Sequence, residues 1–165
     1  MTNSTGRVGF SRHSIGVDIV HIPSFAEQLH RPGSTFLSVF TPLEIRHANA
    51  RREGGGASKS YEVVGAFAGS RAEHLAGRWA AKESFIKAWS QLLYGAPPVL
   101  DPDGVNFAEI EVSADRWGRV AFAFHGDVQR SLEESLGAIN RWDVALSISH
   151  DGDYAIAQSL LTFHS

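Results

Sequence analysis

Apolar and polar positions along the chain fall into a few recognisable periods. From Ser14 to Ile22, SIGVDIVHI sets Ile15, Val17 and Ile19 on one side and Gly16, Asp18 and Val20 on the other, the two-residue period of a strand. Asp18 therefore points away from the Ile and Val row. Ser24 followed by Glu27 has the spacing of a capping box and predicts a short helix, FAEQLH, ended by Pro32-Gly33. Thr41, Pro42, Leu43 and Glu44 repeat that signature with proline at the first helical position, and the helix they open carries Arg46, Arg51 and Arg52. The stretch Glu53 to Ser70, rich in Gly, Ala and Ser and weakly periodic, reads as a mobile loop or an insertion.

The main helix follows. LAGRWAAKESFIKAW, from Leu75 to Trp89, is dominated by good helix formers, and Gly95 with Pro97 and Pro98 marks its end. Leu75, Trp79, Ile86, Trp89 and Leu93 form a stripe at helical spacing, and Lys82 falls inside it. At about 100° per residue, Arg78 lies near one edge of that stripe while Glu83 and Lys87 lie together beyond the other. Two readings are open. One is a Glu83–Lys87 surface pair with Lys82 stretching to water. The other is a site where three cations and a carboxylate meet a phosphorylated ligand and a divalent metal.

Downstream, Val105 to Ser113 and Val120 to Phe124 alternate around DRWG, a hairpin signal, and Ser131 to Ile139 suits a short helix. Asp143 to Ser149 and Tyr154 to Leu161 flank His150-Asp151-Gly152-Asp153, whose Asp-Gly pair suits a tight turn between antiparallel strands. The order predicts an α+β fold, helices packed against an antiparallel β-sheet.

A length of 165 residues predicts one domain, spanning 14–162 after a flexible N-terminal segment at 1–13, with a mobile insertion at 53–70. The 43% hydrophobic and 20% charged fractions are those of a soluble globular protein, and no apolar run is long enough to span a bilayer. Without an apolar leader and with no cysteine, the expected location is the cytoplasm, with no disulfide framework and no thiolate metal site. A net charge of −3 gives no reason to expect nucleic acid, and the eight histidines lack zinc-site spacing.

Two further residues carry candidate chemistry. Asp18 ends its strand run, where an aspartate can turn the chain or supply a hard oxygen ligand; magnesium typically needs only one or two protein carboxylates. His150, in SISHDGDYAIA, is either a locally bonded turn histidine or a phosphate donor and proton carrier.

GVDIV at 16–20, WAAKESFIK at 79–87 and SISHDGDYAIA at 147–157 resemble, in order, the three signatures of the holo-[acyl-carrier-protein] synthase family of short 4′-phosphopantetheinyl transferases, and FTPLE at 40–44 is similar to a further family motif. The resemblance implies the single-half transferase fold. It implies transfer of the 4′-phosphopantetheine arm of coenzyme A to a serine of an acyl carrier protein, or of a carrier domain of a fatty-acid synthase, releasing adenosine 3′,5′-bisphosphate. It implies Mg2+ held by Asp18 and Glu83, coenzyme A phosphates met by Lys87, and coenzyme A contacts from Arg78 and His150. Glu83, Lys87 and His150 are then the catalytic set, in a homotrimer whose sites lie between subunits. The general base stays open between a metal-bound water and Glu44 acting through water. The chain departs from the family in HIPSF, where many members carry a basic residue, and in the length of the 53–70 segment. The arginine-bearing helix from Pro42 is the expected docking surface for an acidic carrier. A thioesterase acting on acyl-coenzyme A and a non-catalytic coenzyme A-binding module are the competing readings.

Overall fold

The computed structural model describes residues 11–53, 70–101 and 104–164. The opening strand, β1 (Ser11–His21), pairs antiparallel over its full length with the last strand, β5 (Tyr154–His164), whose other edge pairs with β4 (Trp142–Asp151). The sheet order is β1-β5-β4, so the two ends of the chain are joined in its middle and at one edge. The tight loop between β4 and β5 is Gly152-Asp153, one residue later than the Asp-Gly pair suggests, because Asp151 is already paired with Tyr154; Gly152 takes φ +54°. A second sheet is the hairpin β2 (Ile110–Ala114) and β3 (Val120–Phe124). The arrangement is α+β, as expected.

Helix α1 (Ile22–His30) begins three residues ahead of the expected FAEQLH. Pro23 in its first turn pre-sets the backbone, and Ser24, rather than capping, places its hydroxyl 2.8 Å from His21 Nδ1. A 3₁₀ turn at Phe36–Val39 leads to α2 (Pro42–Glu53). Its capping box is reciprocal: Thr41 N–H donates to Glu44 Oε2 at 2.8 Å and Glu44 N–H to Thr41 Oγ1 at 3.2 Å. Helix α3 (Arg71–Leu92) is capped by Ser70, whose hydroxyl accepts from Glu73 N–H, and at its other end Leu92 O accepts from Arg12 at 2.7 Å.

The expected strand from Val105 starts only at Ile110, because Asn106 accepts from Ala108 N–H and closes a 3₁₀ turn at Phe107–Glu109. Helix α4 (Gly126–Leu136) lies upstream of the expected Ser131–Ile139, since its first turn is capped from outside the segment, Glu109 Oε2 accepting from Val128 N–H. The segment expected at 1–13 and the insertion expected at 53–70 lie outside the described residues, apart from their ends. Ser11 to His13 belong to β1, held by their pairing with β5 and by Arg12 on α3; Glu53 closes α2 and Ser70 caps α3.

Helix α3 is the axis of the core. The expected stripe is too narrow, since Ala76, Ala80, Ala81, Phe85 and Ala88 are buried along with Leu75 and Trp89. The inner face of the large sheet meets it through Gly16, Ala155, Ala157 and Ser159, and the hydroxyls of Ser84 and Ser159 stand 2.7 Å apart. Small residues on both sides let strand and helix approach closely. The outer sheet face bears Ile15, Val17, Ile19, Tyr154, Ile156 and Leu160, each between 40% and 61% exposed.

Candidate active site

Lys82, the cation inside the apolar stripe, neither reaches water nor faces a cleft. It is fully buried, and its Nζ donates at 2.9 Å to each of Val39 O, Phe107 O and Glu44 Oε2. Burial pushes its pKa down, and the neighbouring Glu44 carboxylate opposes that. Glu44 is 1% exposed and also accepts from the N–H groups of Thr41 and Val112. Its three bonds and burial commit Glu44 to the interior of the fold, which speaks against the general-base role left open by the sequence. The pair is a joint between α2, α3, two 3₁₀ turns and β2.

Asp18, on the inner face of β1, is placed beside α3 by Gly16. A Cβ at Gly16 would sit 1.9 Å from Ser84 O and 2.6 Å from Ala88 N, so only glycine lets the strand lie this close to the helix. Two residues on, Asp18 faces Glu83 and Lys87. Lys87 Nζ donates to Asp18 Oδ1 at 2.7 Å and to Val17 O at 3.2 Å. Burial raises the Glu83 pKa, the Asp18 charge raises it further, and Lys87 acts against both. Asp18 and Glu83 line one open cleft of about 280 Å³, completed by His21, Ser24 and Gln28 on the α1 side and by Trp79 on α3. Trp79 is clamped by Phe36 and Phe107, with ring centroids 5.0 and 4.9 Å away. A more apolar hollow of about 380 Å³ lies farther along α3, lined in part by Ile86, Ser90, Leu93 and Val99.

The other sequence-expected site residues stand apart. Arg78 is buried on α3, five residues and therefore about 140° around the helix from Glu83. His150 is exposed on β4, its ring over Gly77 of α3, where a Cβ would meet Nε2 at 2.8 Å. Its register partners are Ala155 and, through it, Val20, which puts β5 between His150 and β1. Within one chain, Asp18, Glu83 and Lys87 are brought together, while Arg78 and His150 are not part of that cluster. Gly16 and Trp79 escaped the sequence reading as site-builders, although a glycine inside a strand pattern is a signal of close backbone approach.

The donor set fits a hard divalent cation. Among the described residues no group of three or more His, Cys, Asp or Glu side chains is placed to hold a metal ion, but two carboxylates on one cleft with a cation beside them suit Mg2+, which keeps waters and takes phosphate oxygens for its remaining positions.

Residues 14–158 match the family model of the 4′-phosphopantetheinyl transferase superfamily. A holo-[acyl-carrier-protein] synthase of Corynebacterium glutamicum (strain R) is 52% identical over 150 residues, covering 90% of this chain and 97% of its own. The solved structure of a Chronobacterium ammoniagenes ACPS-CoA complex superposes with a TM-score of 0.78 at 60% identity, covering 92% of this chain and 98% of that one. The acyl carrier protein synthase of Mycobacterium tuberculosis superposes with a TM-score of 0.61 at 32% identity, covering 90% and 95%. With signatures, fold and near-complete coverage in agreement, the chain belongs to the 4′-phosphopantetheinyl transferase superfamily.

Proposed function

We propose that this protein is a holo-[acyl-carrier-protein] synthase, and the observation that carries the reading is the convergence of Asp18 and Glu83, from elements distant in sequence, on one cleft beside Lys87. The carrier's serine oxygen bonds to the β-phosphorus of coenzyme A, and the bond from that phosphorus to the bridging oxygen breaks. Adenosine 3′,5′-bisphosphate leaves with the electron pair, and the serine proton passes to solvent at the open cleft. Asp18 and Glu83 would hold Mg2+, which offsets charge on the pyrophosphate when bound. Lys87 supplies a mobile ammonium to phosphate oxygens, Trp79 walls the cleft, and the apolar hollow farther along α3 offers surface to the uncharged parts of coenzyme A.

Arg78 and His150 serve coenzyme A from outside this cleft. His150, exposed on the edge strand, would complete the site of a neighbouring subunit in a homotrimer, and the exposed apolar patch of the sheet supports such an assembly. The carrier, free-standing or a domain of a fatty-acid synthase, docks on the exposed side of α2 around Arg46. The side chains of Arg51 and Arg52 lie outside the described residues. A cytoplasmic location, expected from the lack of cysteine, goes with this reading, and among the described residues no helix is long and apolar enough to cross a membrane.

The test is a mass shift on an apo carrier incubated with coenzyme A, Mg2+ and the protein. The wild type adds the phosphopantetheine mass, Asp18→Ala and Glu83→Ala do not, and EDTA abolishes the shift. Release of free coenzyme A from an acyl thioester in excess EDTA, with no carrier modified, would instead mark a thioesterase.

A further inference from the structure

The Lys87–Asp18 pair sets a condition on the site. Lys87 Nζ stands 2.7 Å from Asp18 Oδ1, and the same ammonium is steadied by Val17 O at 3.2 Å. The lysine side chain is 49% exposed and the aspartate 16%, so the cation is the partner free to swing and the carboxylate the one fixed in the fold. Glu83, one turn before Lys87 on α3, faces the same carboxylate. A divalent cation binds Asp18 more weakly while an ammonium sits within hydrogen-bond distance of it, because the two cations repel across one carboxylate and the ammonium already offsets its charge. An arriving pyrophosphate changes that balance. It gives the ammonium a more highly charged partner within reach of a flexible four-carbon stem, and it gives the metal oxygens that the two carboxylates alone do not supply.

We propose that Lys87 is a displaceable counter-ion of Asp18, so that divalent cation and coenzyme A bind cooperatively: the diphosphate draws Lys87 away and opens Asp18 to the metal. This rests on the reading that Asp18 and Glu83 hold the cation. Coupling of this kind is reciprocal, so the metal tightens coenzyme A by the same factor. The device keeps Asp18 neutralised until substrate arrives, and it makes the full cation site a property of the substrate complex.

The readout is Mn2+ binding, followed through the electron paramagnetic resonance signal of the free ion, with and without coenzyme A and with the binding of Mn2+ to coenzyme A in buffer subtracted. Wild type binds Mn2+ weakly alone and about tenfold or more tightly with coenzyme A, within the usual range of coupling between sites. Lys87→Gln binds Mn2+ more tightly than wild type in the absence of coenzyme A, and its coupling factor falls below that of wild type, leaving only the part that phosphate oxygens on the metal supply. Lys87→Arg keeps the charge and forks onto the carboxylate, so its Mn2+ affinity without coenzyme A is no higher than that of wild type. Equal Mn2+ affinity of wild type and Lys87→Gln without coenzyme A would overturn the exchange, as would a tightening shared by Lys87→Arg. Binding that ignores both Asp18→Asn and Glu83→Gln would overturn the metal assignment itself.

Discussion

Glu83 holds its carboxylate partly out of water on α3, with Asp18 facing it and Lys87 one turn on. Burial is the larger cause of its raised pKa, Asp18 adds to it, and Lys87 recovers only part. A carboxyl whose folded pKa lies above its unfolded one keeps its proton to higher pH in the native state. The stability this gives is complete below the ordinary glutamate value of about 4.3 and is lost as pH rises through the raised folded value. At neutral pH the charged side chain is therefore a net cost to the fold, as the proposed role of Glu83 requires, since a hard-cation ligand must be ionised. In EDTA, Glu83→Gln should melt higher than wild type at neutral pH, and the difference should close on the acid side of the ordinary glutamate range. Calorimetric melts across that range check it, and equal melting temperatures at neutral pH would contradict the environment described for Glu83. The same titration should weaken divalent cation binding as pH falls through the raised value, since the proton and the metal compete for one carboxylate.

Lys82 and Glu44 act on elements rather than on substrate. The ammonium ties the 3₁₀ turns at Phe36–Val39 and Phe107–Glu109 to α3, and the carboxylate ties α2 to β2. Phe36 and Phe107, carried by the same two turns, hold Trp79 against the cleft. Breaking a buried pair strands one charge, whereas removing both can be nearly neutral. Lys82→Met alone should cost about 3–5 kcal/mol, and Lys82→Met with Glu44→Leu should regain most of that in denaturant unfolding. A double variant as unstable as the single would mean that the backbone bonds of the pair matter more than its charges. This joint also shows what the sequence conceals. Strands β1, β3, β4 and β5, the capping box of α2 and the long α3 were legible because each is written in local periodicity or local capping chemistry. The burial of Lys82 was not, since its partners are 25 to 43 residues away. The same holds for α4, whose first turn is capped by Glu109, 19 residues upstream. At the site, the signatures pointed to Asp18, Glu83 and Lys87, yet the side of α3 on which they meet is set by the missing side chain of Gly16.

For the whole molecule, the outer face of the β1-β5-β4 sheet carries an exposed apolar patch. Its exposed row pairs Ile15 with Leu160 and Ile19 with Ile156 across β1 and β5, while Val17 lies opposite Gln158. An antiparallel sheet with one face on helices normally turns polar residues outward. Here Ile15, Val17, Ile19, Ile156 and Leu160 form a contiguous apolar patch on β1 and β5, as at a subunit interface, while β4 turns Asp143, Ser147, Ser149 and Asp151 outward. The proposed trimer would cover this face, and it would also explain why His150 stands apart from the Asp18–Glu83 cleft of its own chain. Val17→Glu should then sediment near the single-chain mass of 17.9 kDa, where wild type sediments at a multiple of it. Oligomerisation alone does not establish a shared site, but mixing defective subunits does. Asp18→Ala and His150→Ala should each be impaired as pure proteins. Co-assembled, a subunit that retains Asp18 can adjoin one that retains His150, and random mixing in equal amounts makes about one site in four intact for a closed ring of identical contacts. Recovery of activity towards about a quarter of wild type in co-expressed trimers would place His150 in its neighbour's site. No recovery, with trimers still formed, would confine both residues to one chain and separate the interface from the chemistry.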